Sequence, residues 1–81
     1  MAAMNQTDYI LGVYSEEDKA IETAILQILN RRVELSPHEL LVAVNEDRPV
    51  PFPINKIRQA IWRLADRSEI VLTDDRKFRI Q

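Results

Sequence analysis

His38 is the only histidine in the chain, and there is no cysteine, so acid–base, nucleophilic or metal chemistry would have to be built around one imidazole. The surroundings do not supply the rest. His38 follows Pro37 at the start of an expected helix, where its side chain points to solvent, and with Glu39 it offers two diverging ligands rather than several converging ones. Serine and threonine nucleophiles have no other neutral base to activate them. The lack of cysteine removes thiol catalysis, disulfides and zinc thiolate sites together. Asp74-Asp75 has neither a third ligand nor the glycine of a calcium loop and reads as turn chemistry. Gly12 alone cannot make a phosphate-cradling loop. The chain is therefore expected not to be an enzyme and to carry no cofactor and no metal.

The residues that can do chemistry are those that bind an anionic polymer. Neutralising phosphates and reading base edges requires cationic and amide groups on one exposed face. Asn55, Lys56, Arg58, Gln59 and Arg63 recur on or beside one side of an expected helix, with Arg76 and Lys77, and then Arg79, in a following turn and strand. Arginine and glutamine can make bidentate contacts to guanine and adenine. The net charge of -2 conceals an asymmetry: residues 1–30 sum to -4, residues 31–50 to -1 and residues 51–81 to +3. An anionic partner responds to that local field, although Asp66, Asp74 and Asp75 partly cancel it. The competing reading is a solvated surface of mixed charge.

These residues need elements to hold them. Ser15 before Glu16, Glu17 and Asp18 is a hydroxyl cap ahead of an acidic first turn. Ile21, Ala24, Ile25, Ile28 and Leu29 then recur at helical spacing up to Arg31 and Arg32, predicting a first helix over about residues 16–32. Val33-Glu34-Leu35 alternates and can add a short strand to a sheet formed elsewhere. Ser36-Pro37-His38-Glu39 combines a serine cap, a proline at the first helical position and a glutamate that reaches back. A second helix therefore starts at Pro37, uses Leu40, Leu41 and Val44 as its apolar edge, and ends at Asn45 or Glu46. Pro49, Pro51 and Pro53 make residues 46–53 a semi-rigid loop. Ile54, Ile57, Ala60, Ile61 and Leu64 form the stripe of a third helix ending near Arg67. Residues 69–72 and 77–80 alternate around Thr73-Asp74-Asp75-Arg76, the pattern of a β-hairpin.

Trp62 sits about 120° from the centre of the third helix's apolar stripe. The hairpin or the Tyr9 to Tyr14 cluster is expected to cover and bury it. The alternative is an exposed anchor for a protein partner, since tryptophan and arginine dominate binding hot spots.

Eighty-one residues, 46% of them hydrophobic and 30% charged, predict one small domain with about 4 to 12 kcal/mol of stability. The expected division is a tail over residues 1–14, docked or disordered, followed by a domain over 15–81. The first basic residue is Lys19 and no apolar run approaches a membrane span, so a cytoplasmic location is expected, without a membrane partner.

The order helix, short strand, helix, helix, hairpin resembles the winged helix-turn-helix domain from Glu16 to Ile80. The most specific stretch runs from Ile57 to Ile70, Ile-Arg-Gln-Ala-Ile-Trp-Arg-Leu-Ala-Asp-Arg-Ser-Glu-Ile, which resembles a recognition helix, its turn and the opening of a wing. Ser36 to Leu41 fits the start of that fold's second helix. The resemblance implies an α+β fold: a small winged helix of three helices plus a short antiparallel sheet with a C-terminal β-hairpin wing, in which Val33–Leu35 is a third strand. It implies DNA binding and transcription regulation, with residues 54–67 as recognition helix and residues 73–79 as wing. The implied nucleic-acid contacts are Asn55, Lys56, Arg58, Gln59, Arg63, Arg76 and Lys77. The expected partner is double-stranded DNA, bound by a homodimer, because one small module offers few contacts. The alternative is a winged helix used for protein–protein interaction, marked by an apolar patch around Val50, Phe52 or Trp62. Two positions depart from the pattern. Ser68 stands where winged helices usually have glycine, and the 46–53 loop is about twice the usual join between the two helices.

Overall fold

A computed structural model describes residues 14–81. The reading of residues 1–13 as a tail, and of Tyr9 to Val13 as a cover for Trp62, lies outside the described residues.

Helix α1 (Glu16–Arg32) opens at Ser15 with a reciprocal cap. The Asp18 amide donates to the Ser15 hydroxyl at 3.2 Å, and the Ser15 amide donates to the Asp18 carboxylate at 2.8 Å. Helix α2 (Pro37–Asn45) repeats the device, with Ser36 and Glu39 as the exchanging pair at 2.8 and 3.1 Å. Both caps satisfy amides that the first turn leaves without partners. Helix α3 (Ile54–Asp66) starts at Pro53 without a side-chain cap. It ends in a Schellman turn: the Glu69 amide donates to the Leu64 carbonyl at 2.9 Å and the Ser68 amide to the Ala65 carbonyl at 3.0 Å. Ser68 takes φ 62°, the left-handed conformation that favours glycine.

Strands β1 (Ile70–Leu72) and β2 (Phe78–Ile80) pair antiparallel, Ile70 with Ile80 and Leu72 with Phe78. Among the described residues the expected α+β architecture of three helices and a C-terminal antiparallel hairpin is what forms. At the hairpin tip the Arg76 amide donates to the Thr73 carbonyl at 2.9 Å, and Arg76 itself has φ 62°. This is a turn followed by a left-handed residue, a place usually given to glycine.

The third strand is a correction. Only one rung forms, where Leu35 and Phe78 exchange amide and carbonyl at 3.1 and 2.7 Å. Val33 instead has φ 69° and ψ -65°, with the Glu34 amide donating to the Arg32 carbonyl at 2.8 Å. That is a γ-turn, strained for a β-branched residue, and it leaves Val33 67% exposed. The cause is length: the chain leaves α1 after Arg32 and must present Ser36 as the next cap, so it reverses within one residue.

The core forms where the helical stripes meet the inner face of the hairpin. Ile21, Ile25 and Leu29 of α1 pack with Leu40 and Val44 of α2, Ile57, Ala60, Ile61 and Leu64 of α3, and Leu35, Ile70 and Phe78. Phe52 joins them, so of the three residues named for an apolar patch under the alternative reading it is the one that does not contribute. The long loop is folded back by Asn45, whose side chain donates to the Phe52 carbonyl at 3.1 Å and accepts from the Phe52 amide at 2.8 Å. The Arg48 guanidinium lies 3.6 Å from the Phe52 ring centre, a cation–π contact on the outer side. This clamp sets how α3 follows α2 despite the eight residues between them. Among the described residues no helix is long and apolar enough to cross a membrane.

Candidate functional site

With Ile57, Ala60, Ile61 and Leu64 buried and Ile54, the first residue of the expected stripe, exposed, α3 offers two flanks and an outer ridge. One flank meets α1. Lys56 Nζ lies 3.5 Å from Asp18 and 3.8 Å from Glu17; Arg63 donates to Glu22 at 2.5 Å and Arg67 donates to Glu22 at 2.7 Å. Arg67 also reaches Glu69 at 2.8 Å. Asp18 and Glu22 are buried, at 0% and 5% exposure. Asp18 Oδ1 makes no hydrogen bond and is held by charge, with Arg63 at 3.8 Å on its other side. The Tyr14 hydroxyl donates to Glu22 at 3.3 Å, and its ring lies 5.3 Å below the Arg63 guanidinium.

Burial acts to raise the pKa of both carboxylates, but it does not prevail. At Asp18 the Ser15 amide and hydroxyl, then the charges of Lys56 and Arg63, bring the carboxyl below its ordinary value. At Glu22 the hydrogen bonds from Arg67 and Arg63 do the same. Hydrogen bonds to Glu22 and Glu69 raise Arg67 further above its usual range. Burial, followed by the negative charge of Glu22, raises Tyr14.

The other flank faces α2 and the hairpin across a groove of about 690 Å³ lined by Pro37, His38, Leu41, Arg58, Ile61, Trp62, Leu72, Arg76 and Phe78. Arg58 enters it from the helix and Arg76 from the hairpin tip. Among the described residues neither these two nor Lys77 forms an ion pair. Asn55 and Gln59 are exposed on the ridge, and Lys77 is exposed beside Arg76.

No family model, curated protein or solved structure matches the chain.

Of the seven residues expected to contact nucleic acid, the structure brings Arg58 and Arg76 to one groove and leaves Asn55, Gln59 and Lys77 exposed nearby. Lys56 and Arg63 lie on the opposite flank, half-buried and engaged by carboxylates. The expected burial of Trp62 is corrected: it is 63% exposed. Three-residue strands are too short to pass over it, and Phe78 of the hairpin turns into the core instead. His38 is exposed, as expected of its place in the first turn. Among the described residues no group of histidine and carboxylates is arranged to hold a metal ion.

Asp18, Glu22 and Arg67 were not singled out from the sequence, although a signal for them existed. Asp18 and Glu22 are four apart on the stripe that also carries Ile21 and Ile25, and Lys56, Arg63 and Arg67 are seven and four apart on α3. Two carboxylates on an apolar face require cations opposite. Leu72, which the alternation of the hairpin arm places with Ile70 on the apolar face, is half-exposed and lines the groove with Trp62.

Proposed function

We propose that the chain is a winged-helix DNA-binding module that regulates transcription, with α3 as its recognition helix and the 73–79 hairpin tip as its wing. The observation that carries this reading is that Arg58 of α3 and Arg76 of the hairpin line one groove without carboxylate partners among the described residues. Such groups keep their hydrogen-bonding capacity for an external anion. Arginine in the left-handed position of the hairpin supports it, because a side chain there costs about 1 kcal/mol that glycine would not.

In this reading Arg58, Asn55 and Gln59 meet base edges in the major groove while Arg76 and Lys77 hold the backbone. Lys56 and Arg63 belong to the fold rather than to the contact. The formal charges of Arg58, Arg76 and Lys77 are matched by those of Asp66, Asp74 and Asp75, so one module has little net attraction for phosphates. That is why a homodimer, doubling the discrete contacts, is part of the proposal.

The test is an amide-shift NMR titration with a mixed-sequence duplex at low and then moderate salt. Shifts at residues 54–67 and 73–79 that fade with salt support the reading. Arg58→Ala is expected to cost about 1 to 3 kcal/mol of binding and relax specificity, and Arg76→Ala to weaken all sequences alike and lower the salt slope by about one. Absence of shifts at low salt overturns it.

A further inference from the structure

Duplex DNA accounts for Arg58 and Arg76 but not for the floor between them. Among the described residues six large apolar side chains are exposed, and four of them, Val42, Ile54, Trp62 and Leu72, line two adjoining grooves. The grooves share His38, Leu41 and Arg58, so the apolar surface is continuous on both sides of the Arg58 guanidinium. Neighbouring apolar side chains in a concave surface mark a binding site more often than scattered ones do. The polar edges of a duplex, apart from thymine methyl groups, give such a floor nothing to pack against.

The charges choose the occupant. Among the described residues no carboxylate lines the larger groove, whose guanidinium groups are Arg58 and Arg76; Asp66, Asp74 and Asp75 stand outside that lining, and Glu46 stands only in the smaller groove. A second copy docked face to face by twofold symmetry would bring together two groove linings that both carry arginine and no carboxylate. We infer that this surface receives an acidic peptide with two large apolar side chains, one packing beside Trp62 and Leu72 and one beside Val42 and Ile54, with carboxylates facing Arg58 and Arg76. The inference does not depend on DNA binding, but the peptide would occupy the surface assigned to DNA and displace it.

Trp62 is the only tryptophan and reports directly. The probe is a tryptophan-free synthetic peptide alternating aspartate with leucine and phenylalanine, titrated into the full chain. Saturable movement of Trp62 emission to shorter wavelength is expected. The same peptide with serine for leucine and phenylalanine should bind at least about tenfold more weakly, the loss due to unburied apolar anchors. A lysine-for-aspartate peptide should give no response. Leu72→Ser should weaken the acidic peptide about tenfold, and Arg76→Glu at the exposed tip, a second variant without a packing change, should abolish its binding.

Equal binding of the serine peptide would overturn the proposal, because charge alone would explain it. A response to duplex DNA only would overturn it while sustaining the nucleic-acid reading, and the reverse result would separate the two the other way. A red shift of free Trp62 on changing Tyr9→Ser with Leu11→Ser would name the chain's own N-terminal segment as occupant. A shift with protein concentration accompanied by doubled sedimentation mass would name a second copy. Either of these overturns the peptide partner.

Discussion

The two flanks of α3 carry the same residue types and treat them oppositely. Toward α1, Lys56, Arg63 and Arg67 meet Glu17, Asp18 and Glu22, and two of those carboxylates are buried. Toward the hairpin, Arg58 and Arg76 stand beside exposed Trp62 and Leu72 with no carboxylate partner among the described residues. A cation's identity in the sequence therefore says little about whether it is available. What decides is the charge on the element facing it. An acidic α1 turns one edge of α3 into part of the fold and leaves the cations of the other edge without carboxylate partners among the described residues.

Removing the shared acceptor breaks this comparison most sharply. Glu22→Ala leaves Arg63 and Arg67 beside an uncompensated site, and cutting one partner from a buried pair costs about 3 to 5 kcal/mol. Arg67 is partly solvated, which reduces the loss to about 2 to 3 kcal/mol. Urea unfolding followed by helical circular dichroism should show that loss, whereas Arg58→Ala should stay within about 0.5 kcal/mol of the parent. Equal losses in both variants would mean that the flanks do not differ as described.

Acid should act on the α1 flank by the same logic. Asp18 and Glu22 have folded pKa values below their unfolded values of about 3.9 and 4.3. The unfolded chain therefore binds more protons as pH falls, so their stabilisation is complete above about pH 5 and is lost as pH drops through the folded values. Glu39 is lowered too, first by the Ser36 amide, and acts in the same direction. Melting temperature should fall below about pH 4, and Glu22→Gln should flatten that dependence. A parent protein whose melting temperature is unchanged down to pH 2.5 would show that these carboxylates are not held as the geometry requires.

How much of this was legible depended on how local each signal was. The Ser36-Pro37-His38-Glu39 opening, the α3 stripe and the alternating hairpin arms are set by neighbours within a turn or a strand, and the elements formed where expected, with only the end residues Ile54 and Leu72 left exposed. The surroundings of Val33, Phe52 and Trp62 were not legible for a shared reason: their burial depends on which distant segment passes over them. Val33 yielded to a reversal fixed by the spacing of two helices. Phe52 was drawn inward by a clamp from Asn45, seven residues away. Lys56 and Arg63 read as contact residues because the helix wheel shows position but not the carboxylates on another helix. The spacing of Asp18 and Glu22 on an apolar stripe did contain that information, and pairing it with the cations of α3 would have recovered the flank.

The positive-φ residues sharpen the comparison at about 1 kcal/mol. Ser68→Gly and Arg76→Gly both place glycine where φ is 62°, and each should stabilise the fold by about 0.5 to 1 kcal/mol, net of the added freedom of the unfolded chain. Their effects on binding should diverge. Ser68 closes the helix away from the groove, so its change is neutral for any ligand, whereas Arg76→Gly removes a groove cation and should weaken both duplex and acidic peptide. Stability gained with binding lost is the pattern expected where backbone strain is retained for contact. Equal binding by the two variants would remove Arg76 from the site.

The smallest effect is the most direct test of the groove flank. An aromatic residue buried in a core costs about 3 to 5 kcal/mol when truncated, and the expectation of a covered Trp62 would place it there. At 63% exposure Trp62 leaves most of its surface in water whether or not the chain is folded. Trp62→Ser should therefore change unfolding free energy by no more than about 0.5 kcal/mol. Its effect on ligand binding should be far larger, because a large apolar side chain that contributes little to the fold can contribute its buried area only when something else covers it. A loss near the core value would show that Trp62 is covered in solution, and the hairpin-side groove would then have to be redrawn around whichever segment covers it.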